Sequence, residues 1–311
     1  MSKLRSNNNY DMSENTKEKT TVLATLAVTI GAAIWGIYWI PLRYAEQLGL
    51  SGAWAVVLAN LIPLFILIPM SLRHHRDIYA ELKIIAIIGF FAGGAVTFYS
   101  IGLVYSTVVR ATLLFYLTPV WSTLIGMVFL NEQVRWNRWA AILVGLAGLY
   151  FIVGGGSAES VDLNIGDWFG IASGVFWGIG AVLIKKNPNT TITGLVTSQH
   201  CSSFLLALMC CLLLPNIGEV PDLSIWLEAT PAMLVYGWFG LVPSLFAIFW
   251  ASGHLFPGRV GILMMTEALV AVISASLLLN EQVLILEWLG VVLILSAGVL
   301  EVFGNRQRSP V

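Results

Sequence analysis

The string Leu130-Asn131-Glu132-Gln133-Val134 returns unchanged, 149 residues later, as Leu279-Asn280-Glu281-Gln282-Val283. That offset is close to half of the 311-residue chain, and each copy closes one long apolar run and precedes another. A near-half-length repeat in an apolar chain predicts duplication of a membrane unit. Units with an odd number of spans would enter the bilayer from opposite sides, which is an inverted repeat. Only 11% of the residues are charged, 58% are apolar and the mean hydropathy is +0.83. A water-soluble fold has too little interior to hide that much apolar surface, so the expected class is an all-α integral membrane protein.

Ten apolar segments can be drawn. They are Val22–Leu42, Ala53–Leu72, Lys83–Val104, Thr107–Phe129, Arg138–Val153, Asp167–Lys185, Ile192–Leu214, Pro231–Ser252, Pro257–Leu279 and Glu287–Phe303. Their lengths suit a ~30 Å hydrocarbon core. The third and fourth segments almost touch, and Tyr105-Ser106 is the only plausible break between them. With the N-terminus in the cytoplasm, 14 of the 16 basic residues fall inside and only Arg43 and Arg110 fall outside. The loops at 154–166 and 215–230 carry acidic charges only, which suits the outside. The charge bias therefore predicts ten spans with both termini cytoplasmic. Five spans per half make the two halves antiparallel. The expected organisation is a disordered tail over 1–21, a first five-helix repeat over 22–153, a second over 167–304 and a tail over 305–311. Trp139 and Trp288 share the 149 offset, as do Arg110 and Arg259, while Trp35-Gly36 and Trp177-Gly178 are related by 142. Cys201, Cys210 and Cys211 lie in one apolar run and read as packed thiols rather than as a metal site or a disulfide framework.

The run Ala111 to Trp121, with Pro119 inside it and Leu130-Asn131-Glu132 at its end, resembles the fourth-helix signature of the EamA-like drug/metabolite transporters. Thr266-Glu267-Ala268-Leu269, ending in Leu279-Asn280-Glu281, resembles the ninth-helix signature, and the two Trp-Gly pairs resemble the openings of the two repeats. The resemblance spans about residues 22–304. It implies a secondary transporter of a bacterial inner membrane with ten helices and alternating access about a central cavity. The most direct role it suggests is export of a small amino acid or related metabolite. It leaves the solute open, because similar proteins move amino acids, other metabolites and cationic drugs. Ala268 stands where the family often has proline, which predicts a straighter ninth helix than the fourth at Pro119.

Glu267 is the sharpest chemical signal, a carboxyl group about ten residues into its span. A charge at the bilayer centre costs about 2.5–3.5 kcal/mol on insertion scales, so desolvation favours the neutral acid. Such a group suits proton coupling. It would equally serve packing, as a protonated glutamate bonded to a neighbouring helix. Met264, Val270, Ala271 and Ser274 share its helical face. Trp35, Tyr38, Tyr99, Tyr116, Trp177 and Trp250 lie deep in other spans and are candidates to line the path, able to stack on apolar solutes or hold a quaternary ammonium. Each could instead pack against helices or lipid. Asn60 and His200 read as bridges between helices, Arg110 and Arg259 as interfacial residues with Glu46 a possible ion-pair partner, and Glu132 and Glu281 as caps or tethers for the next helix. Pro41, Pro63, Pro119 and Pro243 mark potential hinges.

The chain has no GxxxxGK[ST] run, no HExxH and no GxSxG, so neither ATP drive nor a recognisable hydrolase is expected. No cofactor, metal or nucleic acid is expected. The expected partners are a small solute, the lipid bilayer and, through Glu267, protons. A rival solute is an organic cation, and a rival mechanism is an uncoupled facilitator with a structural Glu267. Internal duplication lets one chain suffice, so a monomer is expected.

Overall fold

The computed structural model describes residues 2–50, 53–152, 163–213, 220–279 and 285–304. Glu281 and the tail over 305–311 lie outside them. Among the described residues all regular structure is helical. The helices are α1 (Ser2–Trp35), α2 (Trp39–Gln47), α3 (Ala53–Arg73), α4 (His75–Ala80), α5 (Leu82–Tyr105), α6 (Val108–Phe115), α7 (Thr118–Leu130) and α8 (Trp136–Ile152). After them come α9 (Ile165–Lys186), α10 (Ile192–Leu213), α11 (Leu223–Tyr236), α12 (Val242–His254), α13 (Pro257–Leu263), α14 (Thr266–Leu279) and α15 (Ile285–Gly304). A π-helical turn, Gly237–Leu241, joins α11 to α12.

Among the described residues seven helical stretches are long and apolar enough to cross a membrane: Glu18–Gln47, Ala53–Arg73, Leu82–Tyr105, Ile165–Lys186, Ile192–Leu213, Leu223–His254 and Pro257–Leu278. Of the other three expected segments, the fourth appears as two pieces, α6 and α7, the fifth as α8 and the tenth as α15. Three expectations need correction. The segment expected as a disordered tail is drawn as helix from Ser2, and no proline or glycine interrupts it before Gly31. The eighth segment starts at Leu223 rather than Pro231, which the helix accommodates in its interior. The ninth is not straight: it turns at Met264-Met265 without any proline there.

Two other breaks have visible chemistry. Pro119 has no N–H for the carbonyl of Phe115, and the Thr118 hydroxyl donates to that oxygen instead, at 2.5 Å. Pro41 likewise has no N–H for the carbonyl of Ile37, in the 36–38 turn between α1 and α2, which accepts from the Ile40 N–H at 3.1 Å instead. The π-helical turn directly precedes Pro243. The repeated Leu-Asn-Glu motif also acquires a meaning in its first copy. Asn131 takes the left-handed conformation (φ 51°) that ends α7, and the following Glu132 pairs with Arg138 on α8.

The helices pair in a pattern that survives exchange of the halves. α3 packs on α10 and α8 on α15, each pair joining corresponding segments. α5 packs on α9 as α12 packs on α1, and α6 and α7 pack on α9 as α13 and α14 pack on α1. Phe98, Phe169 and Phe176 fill the α5–α9 face with ring centroids 5.0–5.6 Å apart. Close approach depends on small residues. A methyl group on Gly148 of α8 would sit 2.7 Å from the Gly290 carbonyl of α15, whereas one on Gly145 would meet nothing nearer than 3.7 Å. Gly148→Val should therefore cost about 1–3 kcal/mol through overpacking, seen as a lower melting midpoint of the detergent-purified protein, while Gly145→Ala should melt with the wild type.

Candidate functional site

The breaks in three helices meet around Glu267. Gly36, in the break between α1 and α2, lies so close to α14 that a methyl group there would be 2.7 Å from both the Glu267 carbonyl oxygen and the Val270 Cβ. Only glycine fits this contact. Tyr116, in the break between α6 and α7, donates from its hydroxyl to the carbonyl of Met264, at 2.8 Å, in the break before α14. The carbonyl of Ile34, beside the first break, accepts from the Tyr236 hydroxyl at 2.8 Å. Backbone groups released by broken helices need such partners in a membrane, and here tyrosines from other helices supply them.

The Glu267 side chain is fully buried. Its polar neighbours are the hydroxyls of Tyr99 and Tyr116, and both are engaged elsewhere, Tyr99 with Thr112 Oγ1 at 3.1 Å and Tyr116 with Met264. Neither carboxyl oxygen of Glu267 reaches ordinary hydrogen-bond geometry with them, although both hydroxyls stand close enough to interact with it. A buried polar group in that state is expensive, by about 1–3 kcal/mol, and calls for an explanation.

On the far side of Tyr99 and Met264 lies a narrow apolar crevice of about 20 Å³, walled by Trp35, Ala95, Val96, Tyr99, Phe115, Trp177, Leu245, Ile248 and Met264. Trp35 and Trp177, the pair related by the 142 offset, face the same space from α1 and α9. Trp177 stacks on Phe249 at 6.1 Å and 14°, and its buried indole N–H has no acceptor. Tyr38 packs on Trp35 at 5.3 Å, stacks on Tyr236 at 5.8 Å and accepts from the Ser100 hydroxyl at 3.2 Å.

The structure thus gathers Trp35, Tyr38, Tyr99, Tyr116, Trp177 and Glu267. It does not bring in Trp250, which packs at a tilt against His254, with ring centroids 4.7 Å apart, near the end of α12. Its neighbour Phe249 takes the inward position, one residue away and so about 100° around the helix. Phe115, Ser100 and Tyr236 were missed as site residues. Phe115 directly precedes Tyr116, but nothing in the local pattern of Tyr236 marks it. On the Glu267 face, Met264 walls the crevice while Ser274 accepts from the Trp39 indole N–H at 3.0 Å. Asn60 and His200 meet each other across α3 and α10 at 3.2 Å. Glu46 is not the partner of Arg110: it pairs with Arg43 at 2.9 Å, and Arg110 pairs with Asp167 at 2.6 Å. Among the described residues no group of three or more His, Cys, Asp or Glu side chains could hold a metal ion.

Comparison with known proteins gives this arrangement a context. The model of the EamA-like transporter family matches residues 22–154 and again 164–302. The chain is similar to the uncharacterized inner membrane transporter YicL of Salmonella typhimurium (strain LT2), with 24% identity over 302 residues, covering 91% of this chain and 96% of that one. A solved crystal structure superimposes with a TM-score of 0.64 at 19% identity, over 91% of this chain and 98% of the other, and so shares the fold.

A glutamate kept for packing and one kept for transport differ in stability. Glu267→Leu removes a buried group that no hydrogen bond of ordinary geometry satisfies. It should leave the melting midpoint of the purified protein unchanged or raise it, by up to about 1–3 kcal/mol of stability, while abolishing transport. A lower midpoint would mark a packing glutamate.

Proposed function

The chain belongs to the EamA-like transporter family and is a membrane transporter, not an enzyme; on that premise we propose that it is a ten-span, proton-coupled exporter of a small amino acid or related metabolite. Its two five-helix halves are inverted repeats, a reading supported by the double family match and by helix pairings that survive exchange of the halves. Alternating access then rocks the halves about the crevice at their interface. The inner membrane location follows the name of the Salmonella relative, and cytoplasmic termini follow the 14-to-2 distribution of basic residues. The internal duplication supports a monomer.

The observation that carries the coupling is the Glu267 carboxyl, buried without a hydrogen bond of ordinary geometry where three helix breaks meet. In this mechanism Glu267 takes up a proton when the crevice faces one side and releases it when the crevice faces the other. Solute and proton compete for one acceptor, so the proton leaves as solute binds. The breaks in α1–α2, α6–α7 and α13–α14 supply the hinges, because the backbone there is already freed from the helical ladder. The aromatic walls take the apolar part of the solute.

A second reading has its own support. No basic side chain walls the crevice, and the rings of Trp35, Tyr99, Phe115 and Trp177 line it, which suits an organic cation held by cation–π contact. One experiment separates these readings. Proteoliposomes loaded with a pH-sensitive dye are challenged with a panel of amino acids and quaternary ammonium compounds, with wild type compared against Glu267→Gln. Wild type should show a solute-dependent pH change that the variant lacks, and the active compounds decide between metabolite and cation. Labelled solute moving equally in both proteins with no pH change would make the protein a facilitator and overturn coupling through Glu267.

A further inference from the structure

A groove of about 860 Å³ runs down the outside of the helix array, between α1–α2 and α11 with its π-helical turn. Ile34, Ile37 and Ile40 border it on one side, and Val235 and Phe239 on the other. Both walls belong to membrane-spanning stretches, Glu18–Gln47 and Leu223–His254. Val235 and Phe239 are 60% and 75% exposed, so the groove opens toward the bilayer. Ala232 and Gly240 leave the gap between these ridges, because neither carries a side chain beyond Cβ.

The two ends of the groove differ in chemistry. Toward the break in helix one it is lined by Tyr236, whose ring stacks on the buried Tyr38 at 5.8 Å and whose hydroxyl donates to the Ile34 carbonyl at 2.8 Å. At the other end stand Tyr44, near the end of α2, and Glu228, in the second turn of α11. Glu228 is the only charged residue that lines the groove, is exposed, and enters none of the ion pairs among the described residues. Tyr44 follows Ile34 by ten residues, about 15 Å of helix at roughly 1.5 Å per residue. That is the depth of one leaflet in a ~30 Å hydrocarbon core.

A groove one leaflet deep, apolar along its length and acidic at the end nearest the membrane surface, matches the shape of a lipid better than that of a small solute. A lone carboxylate at that end repels an anionic headgroup and attracts a primary ammonium, while the Tyr44 hydroxyl is a donor for the phosphate beside it. We propose that the groove binds one acyl chain of an amine-headed phospholipid, with its ammonium on Glu228 and the end of its chain against Tyr236. The bound chain backs the Tyr236 ring from the bilayer side. Tyr236 in turn keeps lipid away from the broken part of helix one.

The test uses the full chain, purified and delipidated in detergent and titrated with phosphatidylethanolamine or phosphatidylglycerol of identical acyl chains. Native mass spectrometry counts the lipid retained. The first lipid held by wild type should be the ethanolamine form, by about fivefold over the glycerol form. Glu228→Gln should remove that preference and keep the lipid. Ala232→Trp, which fills the groove, should lose the tightly held lipid of either kind. In vesicles, phosphatidylethanolamine with a diazirine at the end of its acyl chain should tag the peptide containing Tyr236 above α8 and α15, which also face lipid. Equal retention of the two lipids by wild type, or a preference that survives Glu228→Gln, overturns the proposal. So does tagging spread evenly over the lipid-facing helices, or an Ala232→Trp protein that keeps its lipid. Should Ala232→Trp fail to fold, the exposed Glu228→Gln variant and the tagging decide. None of these readouts depends on transport, so their failure leaves the proposed function standing.

Discussion

Inside a bilayer every backbone N–H and C=O must find a partner within the protein, because no water is available to take its place. A helix that breaks at the centre of the membrane therefore needs help from its neighbours. The Thr118 and Thr266 hydroxyls turn back onto the carbonyls of Phe115 and Leu263 within their own breaks. Tyr116 and Tyr236 reach across to the carbonyls of Met264 and Ile34 in other helices. The crevice exists because these four hydroxyls make broken helices tolerable. Without the breaks the helices would pack as uninterrupted rods, and Gly36 would have no reason to lie against α14.

Against that background Glu267 is the acid among several buried side chains, Gln199 and Ser173 included, that lack a partner in ordinary hydrogen-bond geometry. Its surroundings satisfy carbonyl oxygens with care and leave a carboxyl group with no hydrogen bond of that kind. The same holds for the indole N–H of Trp177 in the crevice wall. The fold spends its polar partners on the backbone and leaves an acceptor and a donor available beside an apolar space. That is the arrangement expected of a site whose missing partner is a solute or a proton.

Much of this was legible in the sequence, and the reasons differ by residue. The all-helical membrane class followed from composition, and the depth of Glu267 followed from counting along its span. Trp35 and Trp177 were legible because an internal repeat gives two views of one position. Trp250 was misplaced because a deep aromatic can occupy any side of its helix, and a shift of one residue turns it out of the crevice. Asp167 was read only as the first residue of a span, and Glu46 was offered to Arg110, because ion pairs between distant segments depend on how helices are arranged. Tyr236 was not recoverable: its role depends on the Ile34 carbonyl, about 200 residues earlier, which the break in helix one leaves with only a long 3.4 Å bond from the Ile37 N–H.

The hydroxyls that reach the carbonyls at the helix breaks make neutral hydrogen bonds, each worth a net of about 0.5–1.5 kcal/mol. That is comparable with, or a few times, the thermal energy of roughly 0.6 kcal/mol at room temperature. One such bond can therefore open and re-form many times within the lifetime of the folded state, provided another donor waits nearby for the exposed carbonyl. Tyr99, Tyr116 and Tyr236 stand within one electrostatic neighbourhood of Glu267, so the donors and acceptors of the region can be exchanged among themselves. Helix motions of this kind fall on the microsecond-to-millisecond scale, and the phenylalanine rings packed between α5 and α9 offer no such exchangeable groups.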